Sequence, residues 1–157
     1  MLPADQIEEV LAEMVRVAQP EGRVILKLVT HGSFGEFFSI YWEALYESGI
    51  DNDVWTDLER LINGRATVSG AELVAKRVGL RNVGSFVSKE EFDYETGGEF
   101  LESPLIKDCF LSDWLAIVPE KSRDEVRRQI VSIIERERHN APFDVSVKAT
   151  LITGVKL

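Results

Sequence analysis

The stretch RVILKLVT, Arg23 to Thr30, constrains the fold more than any other part of this chain. It is apolar almost throughout and lacks the period-two alternation of a strand with one wet face, so it is expected to be a strand covered on both faces. Such strands sit inside sheets, with a neighbour on each side. The 22 residues before it read as a single helix. Asp5 is placed to cap that helix with Glu8 three residues on, and Ile7, Val10, Leu11, Met14, Val15 and Ala18 recur at helical spacing before QPEG ends it.

A second helix is expected from Ser33 to Glu47, with Phe37, Phe38, Tyr41, Trp42, Leu45 and Tyr46 giving it an aromatic face and Gly49 closing it. DNDVWTDLERLING reads as a third helix stopping near Gly64, and SGAE, with Ser69 and Glu72 as a capping box, opens a short fourth helix ending at Gly79. NVGSFVSKEEFDY has strand propensity, with Val83, Ser85 and Val87 on one parity. Two short helices split at Ser103-Pro104 follow. Then comes a helix opened by Ser122 and Glu125 and running to about Arg138, with Val126, Ile130, Ile133 and Ile134 as its apolar stripe. The final PFDVSVKATLITGVKL alternates Phe143, Val145, Val147, Ala149 and Leu151 against polar residues, as an antiparallel strand with one drier face does. The 157 residues are expected to form one α/β domain, with residues 31–66 as an aromatic helical insertion.

Composition narrows the function classes. With 45% hydrophobic residues and no apolar run of about 18, the chain is read as a globular protein without a membrane span. MLPADQIEEV lacks the basic and apolar regions of a secretory signal, which implies the cytoplasm. A net charge of −9 argues against nucleic acid, whose backbone is bound mainly by Lys and Arg. One cysteine, Cys109, and two histidines far apart in sequence, His31 and His139, make neither a disulfide nor a structural metal site.

The order of these pieces, with RVAQPEG (Arg16 to Gly22) before the first strand, RVGLRNV (Arg77 to Val83) before the second and a long final strand ending Gly154-Val155-Lys156, resembles the C-terminal half of a class I S-adenosylmethionine-dependent methyltransferase. The resemblance spans essentially the whole chain. It implies a partial Rossmann-like fold, a small mixed sheet of three strands with flanking helices, in which the last strand is antiparallel and central. It also implies that the glycine-rich turn and the acidic residue that hold adenosylmethionine in that family belong to a half not present in these residues, so no cofactor-binding residue is assigned. Three readings follow: a truncated or degenerate relative that is not catalytic alone; the substrate-lid portion of a working methyltransferase completed by another half; or a small-molecule binding or interaction module. S-adenosylmethionine is a cofactor only under the second.

Candidate site residues are His31, at the C-terminal end of the first strand, and the aromatic set Phe34, Phe38, Trp42, Tyr46 and Trp55, in the segment that covers substrate in similar methyltransferases. The same aromatic stripe is compatible with core or interface. Gly32 and Gly35 could leave amides free to cradle an anion, or simply serve a turn. His139 is read as favouring a helix dipole, Cys109 as a small buried hydrophobe, and the acid pairs Glu90-Glu91 and Asp51/Asp53 as solvated. The strand Arg23–Thr30 is expected to have one bare edge, closed by a homodimer or by a complementary N-terminal half.

Overall fold

The computed structural model describes residues 4–137 and 141–157, so the reading of His139 lies outside the described residues. The described residues fold into two compact units, 34–62 with 91–137 and 141–146, and 4–33 with 63–90 and 147–157. They are taken in turn as the aromatic unit and the sheet unit.

The sheet unit holds α1 (Ile7–Val17), β1 (Arg23–Val29), α4 (Val68–Arg77), the first part of β2 (Leu80–Tyr94) and the last part of β3 (Phe143–Lys156). The strands are ordered β1-β3-β2, so the last strand is central, and the sheet is antiparallel. β1 pairs with β3 from Arg23↔Val155 to Val29↔Ala149. Ile7 and Leu11 of α1 and Ala71 and Ala75 of α4 pack with Val24, Leu28, Leu80 and Ile152 of the strands.

β1 corrects the expectation of burial on both faces. Val24 and Leu28 are buried, whereas Arg23, Ile25 and Lys27 are exposed. An apolar run reports hydrophobicity without saying how many faces are covered, and here α1 and α4 pack on the side of the even-numbered positions.

Two capping readings also move. α1 is entered through a 3-10 turn, Ala4–Gln6, with Gln6 at the cap position and no side-chain cap from Asp5. α4 is capped by Thr67, whose hydroxyl accepts from the Gly70 amide at 3.1 Å, two residues before the expected Ser69. That frees Glu72 to accept from the Ser85 hydroxyl at 2.6 Å, tying α4 to β2. In β2, Asn82 adopts φ 52°, and Leu80 and Val83 on either side of it both pack towards the core.

The aromatic unit contains α2 (Gly35–Glu47), α3 (Asp51–Asn63), α5 (Gly97–Glu102), α6 (Pro104–Cys109), α7 (Leu111–Ala116) and α8 (Arg123–Glu137). The split at Ser103-Pro104 is where the sequence puts it, but a further break at Phe110 makes three short helices of the expected two. Cys109, on α6, is exposed and not the buried hydrophobe expected. α8 buries Val126, Ile130, Ile133 and Ile134, the stripe read from the sequence.

β3 does not keep one alternation throughout. Val145, Ser146 and Val147 are buried in succession, and further along the buried positions are Thr150, Ile152 and Gly154, of the opposite parity to Val145 and Val147. The buried side of the strand therefore changes along its length, which a single period-two pattern cannot describe.

Candidate functional site

α2 turns Phe37, Phe38, Ile40, Tyr41, Ala44 and Leu45 inward. They join Phe34, Phe100, Phe110 and Trp114 in the core of the aromatic unit. Phe37 stacks on Trp114 with ring centroids 4.2 Å apart, and Phe34 meets Phe110 edge-on at 4.7 Å and Trp114 at 5.2 Å. Phe34 reaches that position in a left-handed conformation, φ 61° and ψ 27°, with its amide donating to the Ser146 carbonyl at 2.7 Å. A bulky residue held there is strained locally and kept by its packing.

The Tyr41 hydroxyl donates to the Trp114 carbonyl at 2.5 Å. Burial pushes the pKa of this phenol up, with the Arg123 charge a smaller opposing influence.

Trp42 and Tyr46, four residues apart on the other side of α2, stack on each other at 5.8 Å with rings 14° from parallel. Both are exposed, as is Trp55 on α3. The aromatic candidates thus divide: Phe34 and Phe38 are core, while Trp42, Tyr46 and Trp55 present ring surface to solvent. Beside them on α2, Glu43 and Glu47 hold the Arg136 guanidinium at 2.5 and 3.3 Å.

His31 belongs to the sheet unit and is exposed. Its amide donates to the Ala66 carbonyl at 2.9 Å, and the next turn is fixed by Ser33, whose hydroxyl donates to Thr30 and accepts from the Lys148 amide. Beneath it the Thr30 and Thr150 hydroxyls bond at 2.9 Å. Gly32, at φ 83°, lies where a Cβ would come within 2.7 Å of the Lys148 ammonium nitrogen. The left-handed backbone is what favours glycine here, since the Lys148 side chain could swing aside, and the His31 amide is spent within the fold and not offered to an anion.

Sequence reasoning missed a group of carboxylates in the aromatic unit. Asp144 lies close enough to Asp93, Glu91 and Glu36 that its carboxyl is raised above the usual range, first by desolvation and then by the Asp93 charge and hydrogen bond. Glu36 is meanwhile held by the Ser146 amide at 3.2 Å and hydroxyl at 2.7 Å. These acids come from three elements, so no local spacing reveals them. Among the described residues no group of three or more His, Cys, Asp or Glu is arranged to hold a metal ion.

Concavities are also found among the described residues. A groove of about 400 Å³ between α5 and α8 has Leu101 and Val131 among its apolar lining, with Arg127 and Glu102 paired at 3.0 Å. The Lys107 hydrogen bond and charge hold the Glu102 carboxyl below its ordinary pKa. In the sheet unit, about 320 Å³ lies beside Ile7, Thr67 and Arg65. Arg65 is buried, and desolvation pushes its pKa down to about 10.

Among the described residues no helix is long and apolar enough to cross a membrane. No family model and no curated protein matches the chain.

Proposed function

We propose that this chain is a non-catalytic relative of the C-terminal half of a class I S-adenosylmethionine-dependent methyltransferase, acting as an assembly module whose sheet is extended from outside at β1. The observation that carries the reading is the strand order β1-β3-β2, with the last strand antiparallel and central and with α1 and α4 packed against the same core. That is the arrangement the resemblance implies for the end of the family sheet. The aromatic rings that would face a substrate in an active relative are here partly spent as core, Phe34 and Phe38 among them. The test is calorimetric titration with S-adenosylmethionine together with tritiated methyl transfer. No binding and no transfer by these 157 residues alone is the expected result; one cofactor bound per chain overturns the reading.

A second reading is favoured by the exposed rings of Trp42, Tyr46 and Trp55: a substrate-covering segment of an active enzyme, with S-adenosylmethionine supplied by another half. Restoration of methyl transfer on mixing with a separately expressed cofactor-binding half distinguishes it from the first.

A further inference from the structure

The outer side of β1 is a regular strand edge. Gly22 and Thr30 bond to Lys156 and Lys148 of β3, which assigns the even-numbered backbone groups of β1 to its partner. The N–H and C=O groups of Arg23, Ile25, Lys27 and Val29 then point the other way. Among the described residues no backbone hydrogen bond outside the ladder involves them. The strand contains no proline and no positive φ; of the usual devices that protect an edge it carries charged side chains, Arg23 and Lys27. At the opposite edge, β2 carries the Asn82 irregularity and the charges of Lys89, Glu90 and Glu91.

Resting on the reading above that the sheet is extended at β1, we infer that its occupant is a second copy of the same strand, antiparallel, with Leu26 on the two-fold axis. Closed two-fold pairing uses one surface twice and leaves no open end, whereas joining β1 to the β2 of the next molecule would propagate without limit. Charge selects the register. With Leu26 opposite Leu26 of the second copy, Arg23 faces Val29 and Lys27 faces Ile25. Sliding one way places Arg23 directly opposite Lys27, and sliding the other way sets Lys27 against itself, both unfavourable. The same register pairs the odd-numbered residues with each other, so their outward groups form roughly eight hydrogen bonds. Leu26 falls at a pair without hydrogen bonds, where side chains approach most closely. Arg23 and Lys27 of both copies share one face of this ribbon, so raising the salt concentration tightens the pair by screening them.

The experiment is light scattering coupled to size exclusion over a concentration series, with five variants of the chain. Ile25 is about half exposed, so changing it spares the core. Ile25→Pro removes an outward-facing amide and should give a folded monomer. Ile25→Lys, opposite Lys27, should weaken association by about tenfold, and Ile25→Glu should tighten it by a similar factor. In a Cys109→Ser background, Leu26→Cys should form an interchain disulfide on oxidation and Ile25→Cys should not. Circular dichroism confirms the fold of each. A wild-type monomer at every concentration overturns the inference, as does a dimer that survives Ile25→Pro or one that cross-links through position 25. None of these outcomes touches the methyltransferase relationship, which stands or falls on the cofactor titration.

Discussion

The Tyr41 hydroxyl and the Trp114 carbonyl, 73 residues apart in sequence, are joined by a buried hydrogen bond of 2.5 Å. Trp114 lies in the last turn of α7, where carbonyls have no partner within the helix. Tyr41→Phe leaves that oxygen unpaired, and urea denaturation should show a loss of about 1–3 kcal/mol. The phenol also sets an alkaline limit. Its pKa is raised in the folded state, so the folded chain holds its proton longer than the unfolded chain does. Stability should therefore fall as pH rises above the ordinary tyrosine value of 10.0, and Tyr41→Phe should remove that component of the decline.

Gly97 and Gly98 offer a matched pair. A Cβ on Gly97 would lie 2.9 Å from the Val131 Cα and 3.1 Å from its carbonyl oxygen, both backbone atoms of α8. Gly97→Ala should cost about 1–3 kcal/mol by forcing the helices apart. A Cβ on Gly98 meets only the Thr96 hydroxyl at 3.8 Å, so Gly98→Ala should be neutral or stabilising by up to about 1 kcal/mol. Equal thermal shifts for the two would show that α5 does not pack on α8 through Gly97.

Asp144 is predicted to oppose folding at neutral pH. Its folded-state pKa is raised, so the native chain binds more protons than the unfolded chain once pH climbs past the ordinary aspartate value of 3.8. Asp144→Asn should raise the melting temperature at pH 7, and the gain should vanish on acidification below that value. A gain that persists in acid would point to a cause other than desolvation of the Asp144 charge and its repulsion by Asp93, Glu91 and Glu36.

The two sides of α2 should separate cleanly under alanine substitution. Phe37→Ala empties a site with no solvent exposure and should cost about 3–5 kcal/mol in urea. Trp42→Ala removes half of an exposed stacked pair and should cost no more than about 1.5 kcal/mol. Near-equal costs would mean that Trp42 is covered in solution.

The sequence made the apolar stripe of α8 readable because Val126, Ile130, Ile133 and Ile134 recur on one side of a single helix. The central antiparallel placement of β3 came from resemblance alone, since alternation cannot say which strands are neighbours. The one-sided burial of β1 was hidden because Ile25 is as apolar as its buried neighbours Val24 and Leu28. Thr67 and Ser69 are both competent caps, and only the path of the preceding loop decides between them. At the candidate site, the division of α2 into core and exposed rings follows from the 100° step between helical residues. The approach of Asp144 to Asp93 and the Tyr41–Trp114 bond depend on tertiary partners and leave no local pattern.

The central position of β3 has a consequence for synthesis on the ribosome. β1 can pair with it only after residues 149–155 have emerged, and the Thr30–Thr150 contact closes a separation of 120 residues. At about 5–20 residues per second, β1 is made roughly 6–24 s before its partner strand exists. During that interval the nascent chain carries a ready-made apolar segment with both flanks unsatisfied. Demand for chaperone binding should therefore peak mid-translation and end abruptly as β3 is completed.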